Sequence, residues 1–244
     1  MSEKDKDKEK QKKPKADGAH PAAEKAKQAK KAKAQAAAEQ EAGGADDGAP
    51  SQPAPPPRLY ERYKGEIVKA LQQKLGVDNR FAVPRLEKIV ISMGLGRFAT
   101  EGGEGKAKFN QAEKELQVIA GQKPVRCKAK KSVANFKVRE GMETGVKVTL
   151  RGARMYEFLD RLITLAIPRV KDFRGVNPAG FDNDGNYNFG FTEQTVFPEV
   201  DGAAVTFQQG MNITMVTTAA SVDHGRELLR QFGMPFRESS KQDR

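Results

Sequence analysis

Hydrophobic positions recur along this chain in two rhythms, one of three to four residues and one of two. Tyr60, Tyr63, Ile67, Leu71 and Leu75 repeat at helical spacing and stop at Gly76, which predicts an amphipathic helix. After Pro84, Ile89, Ile91 and Met93 alternate with Lys88, Val90 and Ser92, a strand with one apolar face. Phe109, Ala112, Leu116 and Ile119 predict a second helix, stopped by Gly121 and Pro124. Val146, Val148 and Leu150 alternate with Lys147, Thr149 and Arg151, and 125–130 offers an antiparallel partner across a long connection at 131–142. Met155, Phe158, Leu159, Leu162, Ile163 and Ala166 mark the strongest helix, ending near Pro168. Two more strands follow, on Tyr187/Phe189/Phe191 and Met211/Ile213/Met215, then a helix with Ser221 as its N-cap.

The order α-β-α-β-β-α-β-β-α predicts an α+β domain. Adjacent β-β pairs favour a largely antiparallel sheet, with helices packed on one face and the other face free. This domain is expected over 58–244. Residues 1–57 differ: they hold 12 Lys, no Arg, 10 acids and 15 Ala, and Met1 is their only large apolar residue. Such a segment buries too little to offset its ordering entropy, so a disordered Lys/Ala/Pro-rich extension is expected there, ending in the spacer Pro55-Pro56-Pro57.

The composition narrows the function classes. Cys127 is the single cysteine and His20 and His224 the only histidines, so a disulfide framework or a Cys-based zinc cluster is not available. No run reaches the ~20 apolar residues of a membrane span, and the N-terminus has neither an apolar signal core nor the Arg-rich, acid-poor make-up of a transit peptide. A cytoplasmic protein with no cofactor and no membrane partner is expected.

Two motifs suggest ligands and are outweighed by their context. Gly94-Leu95-Gly96-Arg97-Phe98-Ala99 matches a dinucleotide fingerprint after a strand, yet the acidic, Gly-rich stretch 100–105 is expected to delay the helix that would hold pyrophosphate. Asp182-Asn183-Asp184-Gly185-Asn186 with Glu193 mimics calcium-loop spacing, but Tyr187 stands where the sharp turn needs Gly; Asp184-Gly185 reads as a turn. Cys127, between Arg126 and Lys128 on a strand, reads as a packed thiol. No acid–base pair or nucleophile elbow stands out, and no catalytic residue is assigned.

The charge does stand out. The chain carries a net +11, of which +9 falls on 58–244 (31 basic, 22 acidic). The segment 123–151 concentrates Lys123, Arg126, Lys128, Lys130, Lys131, Lys137, Arg139, Lys147 and Arg151 against Glu140 and Glu143. Ser132, Asn135 and Phe136 lie between them, able to hydrogen-bond a backbone or stack on a base. A solvated charged face is the plain alternative; this density on a loop and an exposed strand face favours nucleic acid. RNA is favoured over DNA because no helix reads as a basic recognition helix. A nucleotide-dependent enzyme and a general RNA-binding module remain the competing classes.

Gly121-Gln122-Lys123-Pro124, the run Lys128–Gly141 (KAKKSVANFKVREG) and Lys147–Gly152 (KVTLRG) resemble the bacterial large-subunit ribosomal protein number five, the 5S ribosomal RNA binder. The likeness continues through Phe158–Ile163, Pro168–Gly175, Gly185–Tyr187, Phe197–Glu199 and Pro235–Arg237, over about 58–238. The resemblance implies a non-enzymatic scaffold that anchors 5S rRNA in the central protuberance beside large-subunit rRNA. Its sheet face would meet 5S rRNA through Ser92, Gln122, Lys123, Lys147, Thr149 and Arg151. The family usually has Asn at the position of Ser92, whose hydroxyl is shorter than an amide and lacks its paired chemistry. The family's hairpin loop reaches P-site tRNA; here that is 129–141, with Lys130, Lys131, Ser132, Asn135, Phe136, Lys137 and Arg139. A bridge to small-subunit ribosomal protein number thirteen would fall within 172–190, at Asp172, Arg174, Asp182 and Asp184. The first 57 residues have no counterpart in the family pattern.

Because the extension has no apolar stripe with which to dock, deleting 1–57 should leave the melting temperature of the remaining domain within about 2 °C of the full chain, a shift of under ~0.5 kcal/mol. Thermal unfolding followed by circular dichroism measures this, and a large drop would show that the extension packs on the domain.

Overall fold

A computed structural model describes residues 55–237; the extension expected at 1–57 falls outside them except for Pro55, Pro56 and Pro57. The described part is one α+β unit. Its order begins with helix α1, in which Arg58–Arg62, Tyr63–Ile67 and Val68–Leu75 run end to end, the middle stretch as a wider π-helical turn. Strand β1 (Leu86–Gly94), helix α2 (Gly103–Ala120), and strands β2 (Val125–Lys128) and β3 (Glu143–Leu150) follow. Helix α3 (Gly152–Arg161) continues through a second π-helical turn, Leu162–Ala166. Strands β4 (Tyr187–Phe191) and β5 (Met211–Thr217) and helix α4 (Val222–Gln231) complete the order.

The strands form a five-stranded sheet in the order β2-β3-β1-β5-β4, every neighbouring pair antiparallel. The alternation read from the sequence explains why β1 sits at the centre. Its Ile89 and Ile91 are fully buried and Met93 nearly so, each removing apolar area that stabilises the fold by about 1.5–3 kcal/mol. They share rungs with Val146, Val148 and Leu150 of β3 and with Ile213 and Met215 of β5. That face is roofed by helices: Leu71 of α1, Leu116 and Ile119 of α2, Phe158, Leu159 and Leu162 of α3, and Leu228 and Leu229 of α4 are all buried.

Helix ends follow the sequence punctuation. Gly76 and Gly121 take left-handed backbone at the C-termini of α1 and α2 (φ 64° and 60°), where a Cβ would be strained. Ser221 caps α4, its Oγ accepting from the His224 N–H at 3.4 Å. Arg161 ties α3 to two neighbours: its guanidinium pairs with Glu199 and donates to the Ile119 carbonyl at the end of α2 (2.9 Å). The excursion between β4 and β5 is held from inside by two buried amides. Gln194 donates to the Phe207 carbonyl (2.7 Å) and accepts from Gln209 N–H (2.6 Å), while Gln209 donates to the Gly94 carbonyl (3.1 Å).

The helix after the Gly94–Ala99 fingerprint is held back as expected, opening nine residues beyond Gly94; it does so at Gly103, directly after a short 3-10 turn at Phe98–Thr100, so that 103–105 already belong to its first turn. Gly105 is the physical reason. It is buried in the first turn of α2, where any Cβ would collide with the Phe98 carbonyl, so the missing side chain is what lets the helix start tight against the loop.

Gly105→Ala should therefore destabilise the domain by about 1–3 kcal/mol through overpacking. Gly103→Ala, whose Cβ would meet open space, should be neutral or stabilising by up to ~1 kcal/mol. Urea unfolding of the two variants checks the contrast.

Candidate nucleic-acid interface

Alternation that buries one face of the sheet sends every second residue to the other. The register aligns Val125, Lys147, Ser92, Asn212 and Gly190 as one rung across all five strands. The next rung runs through Thr149, Val90, Thr214 and Asn188, and Lys88 lies opposite Val216 beyond it. These positions are exposed or half-buried, whereas their neighbours on the helix face of β1, β3 and β5 are buried. Among the described residues no carboxylate stands on these rungs. The open face carries hydroxyls and amides, with Lys88 and Lys147 as its cations, among the small residues Val90, Val125, Val216 and Gly190, a surface that hydrogen-bonds a polyanion without repelling it.

Of the residues expected to meet 5S rRNA, Ser92, Lys147 and Thr149 share this face. Arg151 is exposed and still extended (φ −140°, ψ 164°), so alternation from Thr149 carries it to the same side. Gln122 and Lys123 occupy the turn before β2, and the antiparallel pairing of Val125 with Lys147 runs them toward Thr149. Asn188, Asn212 and Thr214 were missed by the sequence reading. Their signal was available: the apolar alternation of Met211, Ile213 and Met215 itself places Asn212 and Thr214 on the opposite face. The neighbour of Ser92 across β5 is Asn212, so the rung keeps an amide beside the shorter hydroxyl.

Arg126 departs from the basic segment. It points to the helix side, where Glu113 and Glu143 pair with its guanidinium, Asn110 Oδ1 accepts from it at 3.1 Å, and the Phe109 ring lies 5.4 Å away. Hydrogen bonds to Glu113 first and Glu143 second raise its pKa further above the ordinary guanidinium value. This cation fastens β2 to α2, its guanidinium already shared between two carboxylates. Cys127 is half-buried and shares the open face with Val125.

The connection after β2 is a structured hairpin loop. Ala129 N–H donates to the Met142 carbonyl (2.8 Å), Gly141 N–H to the Ala129 carbonyl (3.0 Å), and Val133 and Val138 exchange bonds at 2.9 and 3.2 Å. Ser132 serves the loop itself, its Oγ accepting from Glu140 N–H at 2.9 Å. Lys130, Lys131, Asn135, Lys137 and Arg139 are exposed around this frame, and the Phe136 ring is 75% exposed at its tip. Four cations with an exposed aromatic ring on a small braced loop can hold phosphates and stack on a base.

Asp172, Arg174, Asp182 and Asp184 lie between α3 and β4. Asp172 is left-handed (φ 53°), and Arg174 and Asp184 are exposed. Asp182 organises a turn: its carboxylate accepts from Asp184 N–H (3.1 Å), Asn186 N–H (2.7 Å) and Asn186 Nδ2 (2.8 Å). Partial burial pushes this carboxyl up, but the Asn186 side chain and the backbone amides outweigh it, and its pKa lies below the ordinary value. With its oxygens used in this way, the segment is a turn and not a calcium loop.

Sequence comparison decides the family. The profile described as "Ribosomal protein L5" matches residues 79–139, and the profile for the C-terminus of the same ribosomal family matches 143–236. The chain belongs to the ribosomal L5 family. It is similar to the large ribosomal subunit protein uL5 of Alkaliphilus metalliredigens, with 54% identity covering 73% of this chain and 98% of the relative. The uL5 proteins of Thermosipho africanus and Moorella thermoacetica are each 55% identical, covering 73% and 74% of this chain and 97% and 98% of themselves. L5 is a structural, non-enzymatic family. The Gly94–Ala99 fingerprint accordingly has another use here: Gly94 ends the central strand and the 3-10 turn follows.

Asp182→Ala removes three hydrogen bonds from a half-exposed turn, and solvent screening keeps the expected loss at pH 7 to about 1–2 kcal/mol. Because the folded carboxyl titrates below its unfolded value, this contribution is present above about pH 4 and disappears as pH falls through the lowered folded pKa. Urea unfolding at a series of pH values should show variant and wild type converging at acid pH.

Proposed function

We propose that the open sheet face binds 5S rRNA and anchors it to the rest of the large subunit. The coarser assignment is plain: the protein is a structural constituent of the large ribosomal subunit, in the cytoplasmic ribosome, and not an enzyme. The observation that carries the finer reading is the uncovered, carboxylate-free lattice from Lys147 through Ser92 to Asn212, with Thr149 and Thr214 on the next rung. Cations neutralise phosphate oxygens and release counterions, while hydroxyls and amides on a rigid sheet fix register. Arg151, Lys123 and Gln122 extend the surface at one edge.

The braced loop 129–141 contacts P-site tRNA in this reading. Its cations are exposed and individually weak, which suits a ligand that must arrive and leave. Residues 172–190, with Asp172, Arg174, Asp182 and Asp184, would meet small-subunit ribosomal protein number thirteen; the exposure of Arg174 and Asp184 supports that placement.

The test is a titration with 5S rRNA and an unrelated structured RNA of equal length across a salt series. Tighter 5S binding that persists as salt rises supports the reading; equal binding that collapses with salt leaves only a general basic surface. Lys130→Ala with Lys131→Ala should weaken tRNA contact by about tenfold, two exposed contacts at up to ~1 kcal/mol each, and leave 5S binding nearly intact. Equal loss of both would overturn the division between face and loop.

A further inference from the structure

A second surface with nucleic-acid chemistry lies at the other end of the sheet, on the helix side. The loop 129–141 joins the end of β2 to the start of β3, whereas this surface surrounds the start of β1 and the end of β3. There a cavity of about 510 Å³ opens between α1, α3 and the 80–87 turn, its walls including Tyr60, Tyr63, Tyr156 and Val83. A space of this size is in the range of small-ligand pockets.

Its rim is unusual in two respects. Phe81 is 94% exposed and has no aromatic partner among the described residues, although its backbone is firmly held. Asn79 Oδ1 accepts from Phe81 N–H (2.9 Å), Tyr63 Oη donates to the Pro84 carbonyl (3.1 Å), and the Arg85 backbone is bonded on both sides to Thr218 (3.0 and 2.9 Å). A large ring standing in water on a stiff turn is presented, not packed. The second feature is charge. Lys64, Arg80 and Arg85 line the same cavity and have no ion-pair partner among the described residues; Lys64 Nζ lies 4.2 Å over the Tyr60 ring. Glu87, the carboxylate of the lining, already sits 3.7 Å from Lys88.

We propose that this aromatic, cationic cleft holds an unpaired nucleotide of single-stranded RNA, its base stacked on Phe81 and its phosphates met by Arg80, Arg85 and Lys64. Aromatic faces beside unpaired cations fit a base with its backbone. Tyr, Phe and Arg are common in protein interfaces as well, so the distinction rests on the three cations without ion-pair partners among the described residues, beside a single lining carboxylate that Lys88 already meets, a balance that matches a phosphate backbone. The site does not depend on the sheet-face reading: it lies on the helix side of the sheet and uses none of the same residues.

The test irradiates the full chain with an RNA hexamer of five adenosines and one 4-thiouridine, and maps the adducts by mass spectrometry. Adducts are expected on the peptides holding Tyr60, Tyr63 and Phe81, in addition to any on the loop 129–141. Phe81→Ala leaves the fold intact because the ring is exposed, and should cut the adduct yield in the cleft by about fivefold or more, as expected from loss of one stacked base. Arg80→Ala and Arg85→Ala should each lower the salt dependence of that yield, by about 0.7 in the logarithmic slope. Adducts confined to the loop and the open strands, or cleft yields unchanged by Phe81→Ala and by the double variant Arg80→Glu/Arg85→Glu, would overturn the proposal. Saturating 5S rRNA should leave cleft adducts in place. If 5S rRNA fails to bind at all while cleft adducts persist, the sheet-face reading fails and the cleft stands.

Discussion

Everything in this fold depends on β1 pairing on both sides while showing its apolar residues to one side only. Ile89, Ile91 and Met93 lie against the helices and share rungs with apolar residues of β3 and β5. A slip of one residue would turn that whole set toward water and the polar set inward. The same constraint that buries the core therefore builds the open face. Ser92, Lys147, Thr149, Asn212 and Thr214 are aligned across three strands because their neighbours had to be buried.

This gives the interface a rigidity its residue types would not have by themselves. Ser, Thr and Asn side chains are short, so the backbone lattice sets where their polar atoms stand. The long cations are placed differently, on the exposed loop 129–141 and along the turn at 80–85, where local hydrogen bonds brace the backbone and leave the side chains in solvent. The proposed function uses this division for two modes of RNA contact. A flat face can read shape at close range, and projecting cations can attract phosphate from farther away and release it. Arg126 shows that charge in the sequence is not free charge: paired with Glu113 and Glu143, it braces β2 against α2.

The large subunit needs a protein of this kind to act through binding energy alone. L5 is a structural, non-enzymatic family, and in the proposed function the work of these surfaces is to hold nucleic acid in one orientation. The stiffness of the platform supports that role. Buried amides Gln194 and Gln209 lock the excursion after β4 to the central strand, and Arg161 locks α3 to α2 and to Glu199. These ties use polar groups within the protein, where each hydrogen bond replaces one that water would have made.

Periodicity alone determined the element order, the helix stops at Gly76 and Gly121 and the one-sided burial of β1, β3 and β5, because these depend on spacing within a few residues. It also marked the basic segment and the motifs that point to the family. Tertiary structure decided what spacing cannot carry. The strand order β2-β3-β1-β5-β4 places Asn212 beside Ser92, residues 120 positions apart, and no local pattern encodes that meeting. The start of α2 at Gly103 turned on a close approach to the Phe98 carbonyl, a contact between a helix and the loop before it. The pairing of Arg126 with Glu113 and Glu143, and the gathering of Phe81, Arg80, Arg85 and Tyr60 around one cavity, likewise rest on distances through space. A sequence states which residues alternate; only packing states which of them meet.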